Sequence, residues 1–258
     1  MRRMIILAVA FFMVTIPISA HATIIAQDSF DYSPGSLGGN SGGTGWSGAW
    51  TGSVSVLDGG SLSYTDSGGR ELVTNGNRVT APGTSYRYLG RELQNEDVWI
   101  SFLIDRDYIN IMWAGISLYN DGDEYLFMGK IGNSNQLGVH EWEGIDRMSP
   151  IANDSLDPVL FLTQLSFSSS GTEWYAWLNP DLNTIPDTST ADAHNIHPYL
   201  SVVDQIRIAG ETGIEFDELR IGATYSDVAP AVPEPATMLL LGSGLIGLAA
   251  FRRRFKKS

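Results

Sequence analysis

IMWAGISLYNDGDEYLFMGKI, residues Ile111–Ile131, predicts a β-hairpin and with it the fold class of the chain. Apolar, aromatic and β-branched residues dominate Ile111–Tyr119 and Glu124–Ile131, as they do in strands. Between these runs, Asn120–Asp123 (NDGD) supplies the Asp-Gly pair that is typical of a tight turn. Two strands joined by so short a turn run antiparallel, so the stretch indicates an antiparallel sheet.

The same pattern of short strands and turns continues on both sides of the hairpin. Val98–Asp105 (VWISFLID) is apolar on both faces, which is typical of an inner strand of a sandwich. Further strands are predicted at Val159–Phe167, Thr172–Pro180, Leu200–Gly210 and Ile214–Gly222, and many of the 28 glycines fall at the turns. No long amphipathic helix interrupts them. We therefore predict one all-β domain at residues 23–228, an antiparallel jelly-roll β-sandwich.

Charge is distributed unevenly along the chain. Residues 23–230 contain nine Lys and Arg against 28 Asp and Glu, a net charge of −19. Nucleic acids and anionic lipids bind basic patches, so no nucleic-acid partner is expected. The chain has no cysteine, which excludes disulfides, thiolate metal sites and a cysteine nucleophile.

The first 22 residues have the composition of a cleaved signal peptide. Arg2 and Arg3 precede the apolar run Ile5–Ile18, and Ser19–Ala22 (SAHA) has the small-x-small pattern of a leader-peptidase site. We expect cleavage after Ala22 and export across the inner membrane. An uncleaved N-terminal anchor is the alternative, which the shortness of the apolar run disfavours.

The C-terminal segment divides into three parts. Residues 229–236 are a proline-rich linker that contains Pro233-Glu234-Pro235, and the prolines keep this linker extended and open to a processing enzyme. Thr237–Phe251 is apolar and uncharged; as a helix it is about 22 Å long, short of the ~30 Å hydrocarbon core. Arg252–Lys257 (RRRFKK) keeps the C-terminus in the cytoplasm by the positive-inside rule. Residues 237–258 are thus predicted as a marginal transmembrane helix with a basic tail; an ordinary permanent anchor is the alternative.

Two parts of the chain resemble known families. The order of Pro-Glu-Pro, apolar span and basic tip resembles the PEP-CTERM sorting signal, which a membrane-embedded exosortase recognises and removes. This resemblance implies a transient anchor in the inner membrane of a Gram-negative bacterium, followed by transfer to the cell surface or the biofilm matrix. DSFDY (28–32), DVWISFLI (97–104), WYAWLNP (174–180) and IEFDELRIGATYSDV (214–228) resemble the concanavalin A-like (laminin G-like) jelly-roll domains of PEP-CTERM proteins.

The same resemblance implies a structural calcium ion. On a regular strand, Asp217 is expected to share a face with Leu219 and Ile221, where a carboxylate at the edge of an apolar surface needs a partner. Some concanavalin A-like domains bind calcium where the first and last strands meet, so Asp28, Asp31 and Asp217 are the candidate oxygen ligands. The alternative is that Asp217 accepts hydrogen bonds from backbone amides at a turn.

No catalytic residue is predicted. EFDELR (215–220) is similar to the Glu-x-Asp-x-x-Glu strand of laminarinase-like glycoside hydrolases, but Arg220 stands where that family has its second catalytic glutamate. Trp142 is the candidate for ligand binding, because it is flanked by Glu141, Glu143 and Asp146, which suit sugar hydroxyls. Packing of Trp142 at the rim of the domain is the alternative.

These features predict a non-catalytic, exported cell-envelope or matrix protein that binds polysaccharide, with exosortase and an exopolysaccharide as partners. Two alternatives stay open. One is a glycan-active enzyme, a hydrolase or lyase whose acids come from separate strands, and the other is a purely structural surface protein. Apart from calcium, no cofactor is expected.

Overall fold

A computed structural model of the 258-residue chain describes residues 23–106, 113–132, 136–151, 157–211 and 213–232. Pro233, Glu234, Pro235, the predicted signal peptide (residues 1–22) and the predicted transmembrane segment with its basic tail (residues 237–258) lie outside the described residues. No helix in the described part of the chain has the length and apolar character needed to cross a bilayer.

The described residues form short strands with almost no helix. The strands are β1 (Ile24–Asp28), β2 (Gly35–Ser36), β3 (Trp46–Gly52), β4 (Ser55–Leu57), β5 (Arg78–Thr80), β6 (Gly83–Leu93), β7 (Asp97–Arg106), β8 (Ala114–Asn120), β9 (Asp123–Lys130), β10 (Leu137–Glu141), β11 (Arg147–Ile151), β12 (Val159–Ser168), β13 (Gly171–Leu178), β14 (Ala193–His197), β15 (Val203–Gly210) and β16 (Ile214–Gly222). A 3₁₀ turn at Thr188–Thr190 and one helical turn, α1 (Tyr225–Val228), complete them.

The strands that the structure describes pair into two antiparallel sheets. The nine-stranded sheet has the order β14-β13-β12-β7-β16-β5-β4-β2, with β1 paired to β16, and the seven-stranded sheet has the order β11-β10-β9-β8-β15-β6-β3. The predicted antiparallel sandwich of two sheets is thus confirmed.

The predicted hairpin is also confirmed, as β8 and β9. Asn120 pairs with Asp123 across a two-residue turn, and Asp121 and Gly122 both have positive φ, 51° and 91°. Such a turn matches the right-handed twist of the two strands it joins, and Asp-Gly is one of the pairs that form it at low cost.

The strand β7 lies between β12 and β16 and is buried on both faces, as its sequence predicted. One face, with Ile100, Phe102 and Ile104, belongs to the main core between the sheets. The other face, with Trp99 and Leu103, belongs to a second apolar cluster. That cluster includes Leu62, Tyr64, Leu72, Leu182, Tyr225, Val228 and Ala229 from three segments that cover the outer side of the nine-stranded sheet. One sheet is therefore covered on both sides, and the other has an outer side without such a cluster of described residues.

Candidate functional site

The outer side of the seven-stranded sheet, here called the outer face, carries polar and aromatic side chains because its strands alternate. In β8, Ile116 and Leu118 point into the main core, so Ser117 and Tyr119 point outward. Ser117 pairs with Arg207 of the neighbouring strand β15 and, across the opposite edge of β8, with Phe127 of β9. Residues paired directly across strands share a face, so these side chains lie next to one another on the outer face.

An ion pair lies at the centre of the outer face. Arg207 Nη2 is 2.6 Å from Glu124 Oε1 and donates to Ser117 Oγ at 2.9 Å, while Arg207 Nη1 donates to the Tyr119 hydroxyl at 2.7 Å. Ser117 and Tyr119 in turn donate to the two oxygens of Glu124, at 2.7 and 3.1 Å. Burial raises the pKa of the Tyr119 hydroxyl, which keeps it protonated as a donor. The network fixes all four side chains and occupies the Glu124 carboxylate.

Aromatic rings surround the Arg207 guanidinium. It lies 5.3 Å from the ring centre of Tyr119 and 5.8 Å from that of Trp113, which are cation–π distances. Tyr86 of β6 meets Tyr119 edge-on at 5.6 Å, and Phe127 meets Trp113 at 6.2 Å. Arg207 Nε is buried and has no hydrogen-bond partner among the described residues. The centre is therefore a cluster of aromatic rings around an ion pair, in which Glu124 balances the charge of Arg207.

Trp142 lies at one end of the outer face, directly after β10. Its ring packs against that of His140 at a tilt of 37°, with centroids 3.7 Å apart, and His140 Nε2 lies 2.8 Å from Asp146 Oδ1. The Trp142 backbone is held on both sides, since its N–H donates to Tyr125 O at 2.9 Å and its C=O accepts from His197 Nε2 at 3.1 Å. The side chain is nevertheless 39% exposed. A fixed aromatic ring with an open face can serve as a stacking surface.

The acids that flank Trp142 in the sequence do not all lie beside its ring. Alternation turns Glu141 inward, where it accepts from Trp174 Nε1 at 3.1 Å and binds Arg147 through both oxygens, at 2.5 and 2.8 Å. The expectation that Glu141 borders a sugar on Trp142 is therefore wrong. Asp146, whose side chain is 79% exposed, contacts His140, the residue against which the Trp142 ring packs.

A cleft of about 550 Å³ lies toward the other end of the outer face. Tyr88, 53% exposed, forms one wall, and the lining residues are Ser47, Tyr88, Leu89, Arg91, Glu92, Gln94 and Asp204. A register shift in β15 between Val203 and Gln205 places Asp204 there. Asp204 Oδ2 accepts from Asp121 N at 3.4 Å, while its Oδ1 has no hydrogen-bond partner among the described residues. Sequence reasoning missed this cleft because no motif marks Tyr88; only the strand register shows that it points outward.

The two exposed rings lie in one band across the strands. Tyr88 pairs with Gln205, and Gln205 pairs with Tyr119. Tyr119 pairs with Glu124 at the start of β9, and Trp142 follows β10, the next strand. Four strand spacings of ~4.8 Å separate Tyr88 from Trp142, so the band is about 19 Å long.

The candidate calcium ligands lie in three different environments. Asp28 is buried and accepts from Tyr32 OH at 2.6 Å, Arg87 Nη1 at 2.7 Å and Trp50 Nε1 at 2.8 Å. Asp31 is exposed. Asp217 lies on the covered outer side of the nine-stranded sheet, where it accepts from the backbone N–H of Leu62 at 2.8 Å and from Ser61 Oγ.

The expectation that Asp217 shares a face with Leu219 and Ile221 is wrong because β16 contains a bulge. The register shifts between Asp217 and Arg220, and Glu218 adopts a positive φ of 52°. The extra residue turns Leu219 and Ile221 into the main core and leaves Asp217 on the other side. Asp217 instead accepts from the backbone N–H groups of Leu62 and Glu218, which was the alternative interpretation.

The structure does not bring Asp28, Asp31 and Asp217 together. Within the residues it describes, no three His, Asp or Glu side chains gather in a way that would hold a metal ion. Glu215 and Glu218 of the EFDELR string are also engaged: Glu215 pairs with Arg78 at 2.5 Å, and Glu218 pairs with Arg220 at 2.6 Å.

The fold and the site together define an all-β sandwich protein with one covered sheet and a second sheet whose outer face is polar and aromatic, with Tyr88 and Trp142 exposed toward its two ends. Residues 231–254 match the PEP-CTERM protein-sorting motif. This motif marks the chain as an exported protein that exosortase sorts. The recognition of that motif from Pro-Glu-Pro, span and basic tip is confirmed.

Comparison with solved structures gives distant similarities. Domain 4 of AbnA, a GH43 extracellular arabinanase from Geobacillus stearothermophilus in complex with arabinotriose, is 12% identical, with 80% of this chain and 97% of that chain covered and a TM-score of 0.47. A glycosyl hydrolase family 16 protein from Mycobacterium smegmatis is 13% identical, with 77% and 100% covered and a TM-score of 0.41. A lectin from Bauhinia forficata in complex with GalNAc is 10% identical, with 68% and 92% covered and a TM-score of 0.38. Similarities at this level support no inference about activity or ligand. A sequence comparison with the curated proteins gives no match.

Proposed function

We propose that this chain is a cell-envelope or matrix protein whose sandwich binds an extended polysaccharide along the outer face. The observation that carries the proposal is the band from Tyr88 to Trp142. Two exposed aromatic rings lie on one face, about 19 Å apart, with polar groups between them. This length favours a polymer over a single sugar.

The chemistry of the band suits carbohydrate. The C–H side of a sugar ring packs on an aromatic face, and the sugar hydroxyls bond to carboxylates and amides. At the Trp142 end, Asp146 offers a carboxylate; at the Tyr88 end, Asp204 Oδ1 and the Gln94 amide offer an acceptor and a donor. The central network is already paired and its Ser117 and Tyr119 are buried, so it supplies no free acid for glycoside cleavage. Binding without turnover is therefore the proposed activity, on a concanavalin A-like jelly-roll body.

The C-terminal motif supports the second half of the proposal, which is the route of the protein. Residues 1–22 direct export, the segment 237–258 anchors the precursor in the inner membrane, and exosortase removes this segment. The body then reaches the cell surface or the extracellular matrix of a Gram-negative bacterium. The match at residues 231–254 supports this route, together with the marginal length of the apolar run.

Binding can be tested with the body, residues 23–232, which contains both sheets and both apolar clusters. Glycan arrays and polysaccharide pull-down should identify a polymer that the body binds. Tyr88→Ala and Trp142→Ala should each weaken its binding about tenfold, by loss of one stacking contact worth about 1.4 kcal/mol. Ile185→Ala is the control, because Ile185 is 66% exposed and lies outside the band.

Two results would contradict the proposal. If both aromatic variants bind as tightly as the Ile185→Ala control, the band is not the binding site. If incubation of the polymer with the body releases reducing ends, the protein is a glycan-active enzyme, which is one of the two alternatives that the sequence left open.

A further inference from the structure

The sorting motif begins inside the folded body. The matched region starts at Ala231, and Ala231 forms an antiparallel β-bridge with Leu72. Val73 N–H donates to Pro230 O at 2.8 Å, and Val232 N–H donates to Glu71 O at 2.7 Å. The last residue before Pro233 is therefore hydrogen-bonded to the body, and residues 230–232 are a short added strand, here called the docked strand.

The docked strand rests on a well-fixed segment. Residues 61–75 cover the outer side of the nine-stranded sheet, and three ionisable side chains of β16 hold them there. Asp217 accepts from Leu62 N at 2.8 Å, Glu218 accepts from Asn75 N, and Arg220 donates to Val73 O. All three side chains are buried.

Apolar packing adds to these hydrogen bonds. Leu72, the bridge partner of Ala231, is only 4% exposed and belongs to the second apolar cluster. Val228 and Ala229, just upstream of the docked strand, belong to the same cluster, and Ala231 packs against it. The predicted linker at 229–236 is therefore part of the body as far as Val232. The docked strand is held by apolar packing as well as by backbone hydrogen bonds.

The docked strand also uses one of the few backbone N–H groups that a processing enzyme could bind in this region. Processing enzymes commonly bind their substrates as extended strands through main-chain hydrogen bonds. Residues 231–235 read Ala-Val-Pro-Glu-Pro, and proline has no N–H, so this region offers three N–H groups. One of the three, that of Val232, is already donated to Glu71.

We propose that exosortase can process this chain only after the docked strand separates from Glu71–Val73, so that the body and the enzyme compete for the same segment. The proposal rests on the sorting function given above. Val232 is five residues from Thr237, where the apolar run starts, so at most about 18 Å of chain separates the body from the membrane segment. An enzyme that approaches the Pro-Glu-Pro segment at the membrane therefore meets the body at the docked strand.

A disulfide across the bridge tests the proposal, because the chain has no other cysteine. The hydrogen bonds flank the bridge, so Leu72 and Ala231 are a non-hydrogen-bonded pair whose close Cβ atoms suit a disulfide. The full-length variant with Leu72→Cys and Ala231→Cys is produced in an exosortase-containing host, and processing is followed by pulse-chase and by mass spectrometry of the C-terminus. We expect the oxidised form to be processed about tenfold more slowly than the same protein under reductant. Wild type with and without reductant is the control.

A second variant, with a matched control, favours separation of the docked strand from Glu71–Val73. Val73→Pro removes the N–H that donates to Pro230, whereas Val73→Ala shortens the side chain and keeps that N–H. We expect Val73→Pro to be processed faster than Val73→Ala. Equal rates for the oxidised and reduced disulfide variant would overturn the proposal while leaving sorting intact. Absence of processing in wild type, with no difference between hosts with and without exosortase, would overturn sorting as well.

Discussion

Asp28 and Arg87 join the two sheets through a buried ion pair. Asp28 ends β1 in the nine-stranded sheet, and Arg87 lies in β6 of the seven-stranded sheet; both side chains are 2% exposed. Phe30 N, Tyr32 OH and Trp50 Nε1 also donate to the Asp28 carboxylate, and Arg87 lies 5.2 Å from the Trp46 ring centre. A buried carboxylate with this many donors is already compensated, so its role is to hold the sheets together.

Asp217 is a buried carboxyl whose environment links stability to pH. Burial raises the pKa of Asp217 to about 8 from an ordinary value of 3.8, and the nearby Glu218 adds to this. A carboxyl with a higher pKa in the folded state binds its proton preferentially when folded. Its contribution to the free energy of unfolding is therefore complete below about pH 4 and is lost as the pH rises to about 8.

Asp217→Asn should remove the contribution of this carboxyl to the pH dependence of stability. The difference in melting temperature between wild type and the variant should decrease by about 3 °C or more from pH 5 to pH 8. His197, whose pKa is lowered by burial, contributes with the opposite sign, but it is common to both proteins and cancels in the difference. Glu143→Gln, at an exposed carboxyl, is the control. A constant difference across this pH range would show that Asp217 does not titrate there.

At the scale of elements, a hairpin turn and a β-bulge, both with residues of positive φ, determine which side chains lie on each face of their sheets. The Asp121–Gly122 turn sets the register of β8 against β9, which places Ser117, Tyr119 and Glu124 together. The bulge at Glu218 in β16 separates Asp217 from Leu219. The first of these has a sequence signal in Asp-Gly, whereas the second has none.

Gly122→Ala should destabilise the fold by about 1–2 kcal/mol, because φ at Gly122 is 91° and a side chain is strained there. An added Cβ meets no other atom within 4 Å, so the cost is conformational and not steric. Asp121→Asn is the matched control, since Asn tolerates the φ of 51° at that position and should leave the melting temperature nearly unchanged. Chemical denaturation of the two variants checks this, and equal stability would contradict the importance of the turn.

The sequence predicted those elements whose signal is local. The hairpin, the doubly buried β7 and the sorting motif all follow from contiguous residues. The candidate site was predicted less completely from the sequence, because its residues come together only through pairing between strands that are far apart in the chain. Trp142 is brought into a band with Tyr88, and Asp28 meets Arg87, through registers of strands far apart in the chain. The bulge in β16 misled the expectation for Asp217, since an extra residue in a strand reverses the face of everything that follows it.

At the scale of the whole molecule, charge limits which polymers can approach the outer face. Residues 23–230 carry a net charge of −19, so the field around the body repels polyanions. Arg207 lies at the centre of the outer face, but Glu124 balances its charge at a distance of 2.6 Å. Recognition of an anionic polysaccharide would have to overcome this repulsion, whereas a neutral one binds through stacking and hydrogen bonds alone.

We therefore expect the body to prefer neutral polysaccharides over uronic-acid polymers of equal length. Binding of a neutral polymer should change by less than about twofold between roughly 0.05 and 0.5 M NaCl, because stacking is not screened by salt. Binding of a uronic-acid polymer should be weaker at low salt and should strengthen as the salt concentration rises, because screening shortens the range of repulsion to a few Å. Titration calorimetry with both polymers measures these trends, and Trp142→Ala should weaken binding to the neutral one about tenfold at every salt concentration. Tighter binding of the uronic-acid polymer at low salt would mean that local cationic groups on the outer face dominate over the net charge, and the choice of ligand would then depend on Arg207 and Arg91.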